Sequence, residues 1–80
     1  MIAYKASVAR DLKRIDKTQA RKLISKLEHA LAENPNAGEL LKGEFQGLFK
    51  YRVGDYRIIY TKTADGVLIL RIAHRKEVYR

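Results

Sequence analysis

The sequence has no cysteine, a single proline and only two histidines. Without cysteine there is neither a disulfide to staple the fold nor a thiolate to bind metal or attack a substrate. His29 and His74 stand far apart with no spaced set of carboxylates beside them, so neither a metal site nor a cofactor is expected. A glycine-rich phosphate loop is missing as well. No apolar run approaches the length of a membrane span, and the opening Met1-Ile2-Ala3-Tyr4-Lys5 has no apolar stretch of signal-peptide length. A reducing cytoplasm, away from any membrane, is the expected setting. The lone proline and a hydrophobic content of 46% mark a globular chain.

Eighty residues make one domain, expected to span 1–80. A domain of this size buries only about 60% of the surface its unfolded chain exposes, so its core is thin. Seventeen Lys and Arg against nine Asp and Glu give a net charge of +8. Residues 1–45 carry nine basic and six acidic groups, and residues 46–80 eight and three, so the second part is the more basic per residue. Such an excess suits a polyanionic partner, bound through phosphate neutralisation and counterion release. Solubility alone also explains charge of this size, and charge does not choose between RNA, DNA and an acidic protein.

Along the chain, Ile2-Ala3-Tyr4-Lys5 is a short strand candidate. Ser7 is placed as an N-cap ahead of Val8, Leu12 and Ile15, a short amphipathic helix ending near Arg14 or Ile15. Asp16, with Gln19 three residues on, resembles a capping box and opens a second helix. Its apolar residues Ala20, Leu23, Ile24, Leu27, Ala30 and Leu31 share one face, and Lys17, Arg21, Lys22 and Lys26 fall largely elsewhere. Asn34-Pro35-Asn36-Ala37-Gly38 ends that helix. Past Gly43 and Gly47 the period changes from 3.6 to 2. Leu48–Val53, Tyr56–Lys62 and Val67–Ala73 read as three strands joined by turns at Gly54-Asp55 and Asp65-Gly66. The predicted fold is α+β, in the order β-α-α-β-β-β: a mainly antiparallel four-stranded sheet with a helical hairpin packed on one face. Leu12, Leu23, Ile24, Leu27, Ile58, Tyr60, Leu68, Leu70 and Ile72 are expected to supply much of the core, with Val67, Ile69 and Arg71 pointing the other way.

The same alternation sets Lys50, Arg52, Arg57 and Arg71 away from the core. Four cations on adjacent strands repel one another unless an anion sits among them. Arg57, between Tyr56 and Ile58, is the hardest to assign to solvent, because an arginine in an apolar strand is costly without a task. His74-Arg75-Lys76-Glu77-Val78-Tyr79-Arg80 then gathers an imidazole, cations and a phenol just past the last strand. Cleavage of RNA by its own 2′-OH needs a proton acceptor, cations for the charge growing on phosphorus, and an acid for the 5′-oxygen. These residue types can fill those roles without a metal. A plainer alternative has His74 capping the strand end and Tyr79 anchoring the C-terminus by packing its ring.

Three stretches carry a resemblance: Leu41-Lys42-Gly43; Leu48-Phe49-Lys50-Tyr51-Arg52-Val53-Gly54-Asp55-Tyr56-Arg57-Ile58-Ile59-Tyr60; and Arg71 through Arg80. Together with the helical hairpin and its Asn-Pro end, the chain resembles the RelE branch of the RelE/ParE toxin superfamily over nearly its whole length. That resemblance implies the toxin of a type II toxin–antitoxin module, an endoribonuclease that enters the ribosomal A site and cuts mRNA without a metal. Its implied partners are mRNA and the ribosome, a cognate antitoxin that wraps it, and operator DNA reached through the antitoxin. Carried over by position, Arg57 binds the scissile phosphate, and Lys50 and Arg52 neutralise phosphate and influence proton transfer. Arg75 stabilises the transition state or assists the leaving oxygen, Tyr79 stacks on a base or activates the 2′-OH, and His74 stands where some relatives use an acid or base. Arg71 and Lys76 complete the expected RNA-binding set. The sequence departs from the family in two ways: Ala73 stands where glycine is common, and the end at Arg80 is expected to leave out the C-terminal helix of longer relatives. On the same fold, ParE-like toxins inhibit DNA gyrase without a catalytic site, and an inactive homologue would only bind antitoxin and operator DNA. The coexistence of Lys50, Arg52, Arg57, Arg75 and Tyr79 favours RNA cleavage.

Overall fold

Asp16 is where the N-terminal part of the chain turns back on itself. A computed structural model of the protein describes residues 1–74 and 76. In it the Asp16 carboxylate accepts hydrogen bonds from the N–H groups of Thr18 and Gln19, satisfying donors that the first turn of a helix leaves open. The helix α2 that follows, Lys17–Glu33, buries Leu23, Leu27 and Leu31 on one stripe. It stops at Asn34, whose side-chain oxygen accepts the N–H of Asn36. Before it come a strand β1, Ile2–Tyr4, and a helix α1, Ala6–Lys13. Ser7 does not cap α1. Lys5 is the N-cap, with its carbonyl accepting from Val8 N–H, because the Ser7 hydroxyl is used elsewhere, as described below.

The second part of the chain forms β2, Glu39–Leu40; a single 3-10 turn, Gly43–Phe45; and three long strands, β3 Leu48–Val53, β4 Tyr56–Thr63 and β5 Gly66–His74. Among the described residues the sheet has five strands in the order β1-β5-β4-β3-β2, parallel only between β1 and β5. The four-stranded expectation missed β2, whose two residues are too few to show an alternation. The turn between β3 and β4 uses Gly54 at φ +59, a left-handed conformation that a side chain would strain.

A bulge overturns the facing expected of β5. Ile59 pairs with Arg71 but Tyr60 pairs with Ile69, so Leu70 is an extra residue and the inward face changes parity there. Val67, Ile69 and Ile72 are therefore buried, and Leu68 and Leu70, expected in the core, are only partly so. Leu12 and Ile24 sit at the margin of the core and not within it. Both helices pack on one face of the sheet: Val8, Ile15, Leu23, Leu27 and Leu31 form one cluster with Phe49, Ile58, Tyr60, Val67, Ile69 and Ile72.

Tyr60 anchors the loop between α2 and β2. Its ring is fully buried and stacks on Phe49 with centroids 5.1 Å apart. Its hydroxyl donates to the Pro35 carbonyl at 2.8 Å and accepts the Gly38 N–H at 2.9 Å; burial raises its pKa. Gly38 is required here, because a Cβ would stand 2.8 Å from both that hydroxyl and the Lys50 carbonyl.

Because β1 is short, it leaves the outer edge of β5 uncovered beyond its first half. The backbone of Lys5 and two side chains of α1 complete that edge. Lys5 N–H bonds the Ile69 carbonyl, Ser7 Oγ donates to the Leu70 carbonyl, and the buried Asp11 carboxylate accepts Ile72 N–H at 2.9 Å. A helix thereby satisfies backbone groups that a further strand would otherwise pair.

Candidate nucleic-acid interface

The face of the sheet opposite the helices is read directly from strand register, because partners across a ladder share a face. One row runs Arg52–Arg57–Ala73 and the next Glu39–Lys50–Ile59–Arg71, across β2, β3, β4 and β5. Arg52 and Arg57 are directly opposite one another. Side chains so placed have Cβ atoms about 5 Å apart, which sets two arginines side by side on adjacent strands with Lys50 one row along. Arg52 is exposed, while Arg57 and Lys50 are half-buried. Arginine suits such a position, since its planar donors match phosphate oxygens in pairs and its charge survives partial burial.

Lys50 has a carboxylate beside it: Nζ lies 4.0 Å from Oε1 of Glu39, its register partner on β2. Sequence reading did not single out Glu39. Only the pairing of a two-residue strand puts it on this face, and no periodic signal announces that pairing.

Arg71 shares the face by register, but its guanidinium turns to α1. Nε and Nη2 donate to the two Asp11 oxygens at 2.9 and 3.1 Å. Burial acts to raise the Asp11 pKa; the hydrogen bonds from Arg71 and Ile72 N–H, with the charge of Arg71 and Arg14, outweigh it and hold it below the ordinary carboxylate value.

His74 is on the other side of the sheet. It pairs in register with Tyr56, meets that ring edge-on, and lines a small pocket with Asp11, Arg14, Ile15 and Ile72. Lys76 is exposed. Arg75 and Tyr79 lie outside the described residues. Of the residues singled out from sequence, the structure thus gathers Lys50, Arg52 and Arg57, ties Arg71 to Asp11, and separates His74 from the three.

A second concentration of charge lies on the helical hairpin. Residues 5–26 hold eight basic groups (Lys5, Arg10, Lys13, Arg14, Lys17, Arg21, Lys22, Lys26) against Asp11 and Asp16, a net of +6 within the total of +8. All eight are exposed, whereas Asp11 is buried. Among the described residues no helix is long and apolar enough to cross a membrane.

Comparison with known proteins adds to this geometry. The family model described as "ParE toxin of type II toxin-antitoxin system, parDE" matches residues 2–79. The chain is 36% identical over 83 residues to Toxin RelE of Mycobacterium tuberculosis (strain ATCC 25618 / H37Rv), covering 99% of this chain and 84% of that protein. Among solved structures it resembles a chain of the RelBE2 toxin–antitoxin complex from M. tuberculosis, with a TM-score of 0.83, 27% identity, and coverage of 94% of this chain and 96% of that one. The isolated E. coli RelE toxin shares the fold, with a TM-score of 0.70 at 21% identity over 99% of this chain and 89% of that one.

Proposed function

This chain belongs to the ParE toxin family of type II toxin–antitoxin systems, on its RelE branch, and from that premise we propose that it cleaves mRNA in the ribosomal A site by side-chain chemistry alone. The observation that carries the proposal is the facing pair Arg52 and Arg57, with Lys50 one row away, on the side of the sheet that the helices leave open.

In the proposed reaction the ribose 2′-oxygen attacks the adjacent phosphorus and gives up its proton. The bond from phosphorus to the 5′-oxygen breaks, leaving a 2′,3′-cyclic phosphate and a 5′-hydroxyl that takes up a proton. Arg57 binds the scissile phosphate, and Arg52 and Lys50 offset the charge that grows on its oxygens, where preorganised donors act most strongly. Lys50, which has Glu39 beside it, influences proton transfer in this reading. The family resemblance assigns transition-state stabilisation to Arg75 and base stacking or 2′-OH activation to Tyr79, and it adds Lys76 and Arg71 to the RNA contacts. The exposed cations of the helical hairpin supply a second surface for ribosomal phosphates. A cognate antitoxin is the protein partner, in keeping with the complexes in which its structural relatives occur.

The family model is described by ParE, which favours one other reading, inhibition of DNA gyrase on the same fold. Single-turnover cleavage on programmed ribosomes, with a supercoiling assay in parallel, tests both. Cleavage that is lost in Arg57→Ala supports the ribonuclease; a block of supercoiling without cleavage replaces it with the ParE-like activity.

A further inference from the structure

β5 ends at His74. The imidazole occupies that exit on the helix side of the sheet. It lies edge-on to the Tyr56 ring, with centroids 5.4 Å apart and planes at 89°. Its Nδ1 accepts the backbone N–H of Lys76 at 3.3 Å. A side-chain acceptor that takes the N–H two residues ahead closes an Asx-type turn, here with a ring nitrogen in place of an amide oxygen. With Nδ1 accepting, the neutral ring carries its proton on Nε2. Arg57 pairs with Ala73, so Arg57 and His74 lie on opposite faces of the sheet.

We propose that His74 is a positioning residue: its imidazole, set against Tyr56 and closing a turn onto Lys76, fixes the direction in which the chain leaves β5 toward the segment that carries Arg75 and Tyr79. It acts through that segment and transfers no proton in the reaction. The role rests on the ribonuclease reading, and the turn itself can be measured without it.

Three variants test the proposal. His74→Asn keeps an acceptor at the right distance for the turn. His74→Gln is one methylene too long for it but still covers Tyr56, and His74→Ala removes both features. Melting temperatures accompany each. The turn predicts single-turnover cleavage within about threefold of the unmutated protein for His74→Asn, and a loss on the order of 10- to 10²-fold for folded His74→Gln, the scale of a misplaced reacting group. Hydrogen exchange at the Lys76 amide is expected to be slow in the unmutated and Asn proteins and fast in the Gln protein. A His74→Asn protein as slow as His74→Gln assigns the imidazole itself to the chemistry and overturns the proposal, as does wild-type cleavage by His74→Gln. If the unmutated protein cuts no RNA, the ribonuclease reading fails on its own. Exchange at Lys76 then decides the turn, and equal protection in the unmutated and Gln proteins overturns it.

Discussion

Asp11 on α1 and Arg71 on β5 are joined by two hydrogen bonds, and the same carboxylate also takes the N–H of Ile72, so one buried side chain binds a helix to both the backbone and a side chain of the strand beside it. Asp11→Ala leaves the Ile72 N–H without its partner and is expected to cost about 2 kcal/mol, less than a fully buried pair because the Arg71 side chain is 56% exposed. Asp11→Asn, which can still accept from Ile72, is expected to cost less. Urea denaturation of the three proteins measures both.

The same group makes stability depend on pH. The folded Asp11 pKa is lowered from 3.8, so the unfolded chain binds the proton more readily. Its contribution is present above that unfolded value and is lost as pH falls through the lower folded one. The stability gap between the unmutated protein and Asp11→Asn is therefore expected to be constant near neutrality and to shrink below about pH 4. A gap that persists unchanged into strong acid assigns the difference to packing and not to charge.

Arg52 and Arg57 are like charges in directly opposed positions, which a sheet bears at some cost. Arg52→Ala is expected to leave the melting temperature unchanged or raise it slightly, and to weaken RNA binding with a salt dependence shallower by about one phosphate contact. Arg57→Ala is expected to slow the chemical step by about 10²–10³, more than it weakens binding. Filter binding across a salt series, set beside single-turnover cleavage, separates the two arginines.

Lys22 and Lys26 are exposed on α2, away from the open face of the sheet. Changing both to Gln is expected to weaken ribosome association and to lower the magnitude of its salt slope by about 1.5–2, as the loss of two phosphate contacts requires. The cleavage rate of the saturated complex should stay the same. A slower saturated rate would place these lysines in the chemistry.

Gly38→Ala forces a methyl group within 2.8 Å of the Tyr60 hydroxyl and the Lys50 carbonyl, with an expected loss of about 1–3 kcal/mol in urea denaturation. Tyr60→Phe empties the space of that hydroxyl but strands the Gly38 N–H and Pro35 carbonyl, at about 1–2 kcal/mol. Because the two changes share one contact, the double variant is expected to lose less than their sum.

Local sequence by itself determined the elements whose causes are local. Asp16 starts α2 because its carboxylate reaches N–H groups only two and three residues away, and Asn34-Pro35 stops it through the backbone limits of the next residue. Strands β3 and β4, with the Gly54 turn, follow from alternation and one left-handed glycine, and they bring Lys50, Arg52 and Arg57 to one face. Tertiary structure alone decided what depends on a partner strand or helix. The bulge at Leu70 moves Val67 and Ile69 into the core because β4 pairs on either side of it in two registers, which the alternation of β5 cannot reveal. Glu39 meets Lys50 only because Tyr60 holds the preceding loop against the sheet. Arg71 turns from the open face to Asp11 because α1 lies where another strand would otherwise run, and His74 faces Tyr56 because β4 pairs with β5 in that register. Periodicity says which residues share a face within one strand; contact with other elements decides what each face meets.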